Sequence, residues 1–204
     1  MAFSATDCES RVVWEGSRGD RSQFWPDATP ILWQSGEMEW RASDLETLFA
    51  MCFEGDYQTV LQGDGEEPLY LPSKDPTTSP HRVVYRADYF ASALHEVSHW
   101  CLAGAERRAR EDYGYWYSPD GRSAEKQEEF ERAEARPQAL ESLFSEACGF
   151  EFHLSADNLD GGVGPSGRFA KSVDVQRKNF AEHGLPDRAA RFHAALARAF
   201  RPTE

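Results

Sequence analysis

Apolar side chains at Leu45, Leu48, Phe49, Cys52 and Phe53 recur with the spacing of one helix face. Ser43 is placed to cap that helix and Gly55 to end it. The period then shortens. Thr59-Val60-Leu61, Leu69-Tyr70-Leu71 and Arg82-Val83-Val84-Tyr85 read as short strands, the first two flanking a turn at Gly63-Asp64-Gly65. Helical spacing returns at Phe90, Leu94, Val97 and Cys101 and predicts a long helix from Ala87 to Arg108, the strongest element of the chain. An aromatic loop follows over residues 112–122, with turn signals at Ser118-Pro119 and Asp120-Gly121. A polar helix from Ser123 to about Glu134 is expected to end before Pro137, which opens another helix stopped by Gly149. Two more helices fit Ser166 to His183 and Pro186 to Phe200, divided by Gly184. Residues 1–40 mix Trp14, Trp25, Trp33 and Trp40 with Gly, Pro, Asp and Ser and hold neither period, so they read as an irregular extension. The remainder, 41–204, reads as a single α+β domain dominated by helix, with a small set of short strands ahead of residue 87.

Composition narrows the class. With 204 residues, 40% of them apolar and 28% charged, the chain can build one core and is not a disordered or collagenous sequence. No apolar run reaches the roughly 20 residues of a membrane span, and the N-terminal residues lack a basic stretch followed by an apolar one, so a cytoplasmic protein without a membrane partner is expected. A net charge of −13 argues against direct nucleic-acid binding, which needs a basic surface, and suits a cationic substrate. The balance reverses between Gly167 and Arg201, where eight Arg or Lys face three Asp or Glu, an end that an acidic partner would meet. Cys8, Cys52, Cys101 and Cys148 lie more than 40 residues apart with no paired spacing, which excludes a zinc ribbon or disulfide framework and leaves reduced packing residues.

Chemistry concentrates at His95-Glu96-Val97-Ser98-His99, an HExxH motif inside the strongest helix. At about 100° per residue the two imidazoles lie about 40° apart on the helix surface, one turn from each other, with Glu96 on the adjoining side. Two histidines leave a metal short of ligands, so a third should come from downstream. The longer motif HExxHxxGxxH is excluded, because Leu102 and Ala105 stand where its glycine and last histidine would be. A carboxylate from Glu128, Glu129, Glu131, Glu134, Glu141 or Glu146 remains, and spacing does not choose among them. Two histidines and a carboxylate with Zn(II) make a peptidase in which Glu96 is the general base; with Fe(II) they leave positions for dioxygen and a substrate. No histidine begins an HxD or HxE motif, so 2-oxoglutarate dependence of the jelly-roll type is not supported.

Five blocks carry a resemblance: Glu67-Pro68-Leu69-Tyr70-Leu71-Pro72, the segment Ala91 to Cys101, the segment Gly114 to Arg122, Arg136-Pro137-Gln138-Ala139-Leu140, and Asp157-Asn158-Leu159. In this order they resemble the elongation factor P hydroxylase family, enzymes that hydroxylate the modified, β-lysylated lysine of translation elongation factor P. The resemblance implies a monooxygenase-type hydroxylase using Fe(II), with Zn possible, and dioxygen as cosubstrate. It implies metal ligands at His95 and His99, a third at Glu134 ahead of the Arg-Pro-Gln block, and a catalytic Glu96 whose role need not be that of a protease base. It also implies a substrate entrance walled by Tyr115, Trp116, Tyr117, Asp120 and Arg122. The rival reading is a zinc metallopeptidase that uses Glu96 as base.

Overall fold

A computed structural model describes residues 39–113, 123–156 and 165–200, all within one compact unit. The order is α1 (Ala42–Tyr57), β1 (Thr59–Gly65), β2 (Leu69–Leu71), β3 (His81–Arg86), α2 (Phe90–Leu102), a 3-10 turn (Arg107–Ala109), α3 (Ala124–Cys148), α4 (Gly167–His183) and α5 (Asp187–Ala199). The three strands form one sheet in the order β1-β3-β2, with β1 parallel and β2 antiparallel to the central β3. This is the helix-dominated α+β architecture expected, with HExxH on α2. Residues 1–38, which hold all but the end of the expected extension, lie outside the described residues. Trp40, at that end, donates its indole N–H to the Cys148 carbonyl at 3.1 Å and packs edge-on to Phe150.

Helices α1, α2, α3 and α5 meet on an aromatic core. Phe49 and Phe53 of α1 lie 5.0 and 4.8 Å from the Trp100 ring, and Phe192 of α5 packs on both phenylalanines and on Phe144 of α3. Each such burial removes apolar area worth about 1.5–3 kcal/mol, and all five rings are at most 3% exposed. Cys52, Cys101 and Cys148 are free and buried among these elements, and burial pushes the Cys52 and Cys148 thiols up to about 11, as packing residues require.

Four local expectations need correction. Helix α1 starts at Ala42 without a side-chain cap from Ser43, passes through Gly55 and ends at Gln58 in the left-handed region. Gly55 faces open space, so the helix tolerates it at a propensity cost of about 1 kcal/mol. Gly63-Asp64-Gly65 is no turn between neighbouring strands. It belongs to β1, where the pairing with β3 shifts register between Gln62 and Gly65. Helix α2 is shorter than predicted: Ala87 adopts φ +50 and delays the start to Phe90, while the chain becomes extended at Ala103. At that end the Arg188 guanidinium of α5 donates to the carbonyls of Cys101 and Ala103 and lies 4.7 Å from the Trp100 ring centre, taking up the helix's last acceptors. Finally, Pro137 lies inside one continuous α3 instead of dividing two helices. Residues Pro137 to Ser142 are all buried, and this packing outweighs the roughly 3 kcal/mol that an interior proline costs.

The β1 bulge fixes α1 to the sheet. Glu46 of α1 accepts the Gly63 N–H and the Tyr85 hydroxyl, both at 2.8 Å. A Cβ at Gly63 would stand 2.9 Å from the Ala87 carbonyl oxygen, and one at Gly65 2.9 Å from that of Tyr85. Gly63→Ala and Gly65→Ala should each cost about 1–3 kcal/mol in denaturant melts, whereas Gly104→Ala, facing open space, should stay within about 0.5 kcal/mol.

Candidate metal centre

Helix α2 presents His95 and His99 one turn apart, and α3 crosses it with Glu134, Gln138 and Glu141 at i, i+4 and i+7, one face of a helix. The three donors converge. His95 Nε2 and His99 Nε2 are 3.1 Å apart, His99 Nε2 is 3.3 Å from Glu134 Oε1, and His95 Nε2 is 3.5 Å from Glu134 Oε2. Ligand atoms about 2.1 Å from one cation are separated by about 3.0 Å at right angles and about 3.4 Å at the tetrahedral angle. Two of the observed edges fall in that range and the third exceeds it by about 0.1 Å, so the donor set fits a metal ion. Among the described residues this is the cluster able to hold one.

Glu134 is 3% exposed. Burial alone would raise its pKa, but His99, His95 and the Gln138 amide overcome it and bring the carboxyl down to about 2, so it is an anion at neutral pH. Burial likewise disfavours a charged His95, yet Glu141, Glu134 and Glu96 outweigh it and hold the imidazole up at about 10. In the metal-free protein a proton thus stands where a cation belongs, and metal binding must release it.

Of the six carboxylates left open by spacing, two reach the histidines. Glu134 completes the triangle, and Glu141, 8% exposed, lies 2.8 Å from His95 Nδ1 on the far side of the ring. Glu128 pairs with Arg132 and Arg168, Glu131 accepts the Ser166 hydroxyl, Glu146 pairs with Arg177, and Glu129 is exposed. A carboxylate accepts only, so Nδ1 keeps its proton when the imidazolium gives up the one on Nε2, and the Nε2 lone pair then faces His99 and Glu134. Gln138 braces Glu134 from the other side, its amide 3.5 Å from Oε2, and it also clasps the Ser155 backbone through both its oxygen and its nitrogen. The sequence offered one signal for both residues, their helical offset from Glu134, but that signal means little until α3 is known to be continuous.

Glu96 sits on the adjoining face of α2 and lines, with His99, a cavity between α2 and the sheet. Burial raises its pKa. Tyr115, Trp116, Tyr117, Asp120 and Arg122 lie outside the described residues. His153 is exposed and away from the cluster, 3.9 Å from Glu151. At the basic end Arg168 pairs with Glu128, Arg177 with Glu146 and Arg191 with Asp56 on the surface, and Arg188 caps α2. No described helix is long and apolar enough to cross a membrane.

If Glu141 holds the His95 tautomer, Glu141→Leu should weaken Fe(II) or Zn(II) affinity about 10–100-fold in a chelator competition titration. Glu141→Gln, whose Oε1 still accepts from Nδ1–H, should lose less.

A family profile described as elongation factor P hydroxylase matches residues 48–204. A Haemophilus influenzae protein named elongation factor P lysine hydroxylase is 48% identical over 168 residues, which is 82% of this chain and 93% of that protein.

Proposed function

Because the chain belongs to the elongation factor P hydroxylase family, we propose that it hydroxylates the β-lysylated lysine side chain of elongation factor P at an Fe(II) held by His95, His99 and Glu134. The observation that carries this reading is the triangle of two imidazoles and one buried carboxylate at metal-ligand spacing in a chain of that family. Bound there, Fe(II) supplies the dioxygen chemistry that an unactivated C–H bond requires, as in the nonheme oxygenases with two histidines and one carboxylate. Zn(II) suits the same donors but brings no redox chemistry.

The protein's own groups prepare that position. Glu134 contributes the negative charge, Glu141 orients His95, Gln138 fixes the Glu134 carboxylate, and Arg188 secures the end of the helix that carries both histidines. Residues 41–204 form the catalytic domain and residues 1–40 an extension to it, while Tyr115, Trp116, Tyr117, Asp120 and Arg122 wall the substrate entrance. One oxygen atom enters the C–H bond and the other leaves as water, with two electrons from an external reductant. A cytoplasmic location follows from a translation factor as substrate.

Purified elongation factor P bearing the modified lysine should gain the mass of one oxygen when incubated with the Fe(II)-loaded protein, a reductant and air, and none under nitrogen. His99→Ala and Glu134→Ala should reduce that turnover by more than about 100-fold. Cleavage of the factor, or equal turnover without dioxygen, would overturn the proposal, cleavage in favour of a zinc peptidase with Glu96 as base.

A further inference from the structure

Strands β2 and β3, helix α2 and the turn after it enclose a cavity of about 30 Å³, with Tyr70, His99, Trp100 and Arg108 in its walls. Two of these walls carry donors that lack acceptors. Trp100 is 3% exposed, and its indole N–H is buried without a hydrogen-bond partner. The indole stands near enough to the Tyr70 hydroxyl to oppose the rise that burial causes in the Tyr70 pKa, but outside hydrogen-bond geometry. Half-buried Arg108 lies over the Tyr57 ring, 5.7 Å from its centre, and meets no carboxylate among the described residues. Burial first and the Arg108 charge second hold the His81 imidazole below its usual range, and the same charge works against burial at Tyr70. Arg188, 5.6 Å from the Tyr57 ring centre, adds a second guanidinium whose Nη1 is buried without an acceptor. The acids of the cavity are met by other charges. Arg107 pairs with Asp112 at 2.6 Å, and at Glu96, one turn of α2 before Trp100, burial raises the pKa while the charges of His95 and His99 oppose it. A buried donor left without an acceptor destabilises the fold, and an unpaired guanidinium beside it favours an acceptor that is an anion.

We propose that this cavity is a carboxylate subsite, in which one carboxylate oxygen accepts the Trp100 indole N–H and the Arg108 guanidinium meets the other. A space of about 30 Å³ holds about two groups the size of water, which the two oxygens of a carboxylate match and the four of a sulfate exceed. The subsite thus selects for charge and for a small, flat head group together. Its carboxylate comes from an acidic side chain of the protein substrate or from a free small acid, and the recognition chemistry is the same for both. Because His99 shares the cavity, the bound acid lies beside the metal centre. Binding there requires no oxygen transfer and stands apart from the hydroxylase reading.

Separate measurements test the subsite and that reading. In an NMR titration of the full Zn(II)-loaded chain, acetate should bind saturably and shift the Trp100 indole N–H resonance, which Trp100→Phe identifies by its loss. Acetamide and sulfate should not. Arg108→Gln should weaken acetate binding at least about tenfold with zinc affinity and melting unchanged, and Arg108→Lys, which keeps the charge and loses the fork, should retain part of it. Undiminished acetate binding by Arg108→Gln, as acetate held by the zinc alone would give, would overturn the subsite. Equal binding of acetamide or sulfate, or acetate binding that leaves the Trp100 resonance unmoved, would do the same. In the hydroxylation assay, acetate that raises the KM for elongation factor P in the unaltered chain and not in Arg108→Gln assigns the carboxylate to that substrate; acetate that leaves this KM unchanged assigns it to a free acid. Arg108-dependent acetate binding in a protein that transfers no oxygen to elongation factor P would sustain the subsite and remove the hydroxylase reading.

Discussion

Everything at this site depends on a buried carboxylate that must be met by positive charge. Glu134 is nearly withdrawn from water. Left alone there it would cost several kcal/mol, a large share of the 5–15 kcal/mol that separates a typical folded domain from its unfolded chain. Two imidazoles from α2 and the Gln138 amide meet that charge. The crossing of α2 on α3 is therefore an electrostatic contact as much as an apolar one. The carboxylates that raise His95 to about 10 are the same ones that would favour a divalent cation in the proton's place. One arrangement thus suits a proton and would suit a metal ion in its place, and the aromatic core behind α2 holds it still.

The parts of this arrangement that are local in sequence were legible there. HExxH on an apolar-faced helix fixes the relation of His95 to His99 by helix geometry alone, and α4 and α5 lie within a residue or so of the expected spans. What depended on tertiary packing was not. Pro137 reads as a boundary when only backbone propensity is weighed, yet it stands inside α3 because the buried run that begins with it outweighs the missing hydrogen bond. That misreading has a consequence for the site. With α3 divided, Glu134 and Glu141 have no fixed relation, and Glu141 is one acid among six. With α3 continuous they share a face two turns long, and each reaches a different ring nitrogen of His95.

Charge composition counts residues, and folding decides what each of them meets. Gly167 to Arg201 carries a local excess of positive charge. Folding then places Arg168, Arg177 and Arg191 against Glu128, Glu146 and Asp56, and turns Arg188 onto the carbonyl end of α2. Exposed pairs of this kind contribute at most about 1 kcal/mol each. The Arg188 contact is of another sort, being part-buried, stacked on Trp100 and aimed at the last carbonyls of the helix that bears both histidines. The same basic end therefore carries both exposed ion pairs on its surface and one contact that secures the helix of the two histidines.

The HExxH pattern on α2 specifies a location more than a reaction. Any helix with this spelling brings two imidazoles to one point and a carboxylate to the adjoining face, because the offsets of one and four residues are set by helical pitch. Whether that carboxylate then abstracts a proton or holds a charged substrate depends on what surrounds it. Here Glu96 opens into a narrow space with aromatic walls beside His99. Chemistry is therefore read from the groups facing the motif, and these come from strands and helices far from it in sequence.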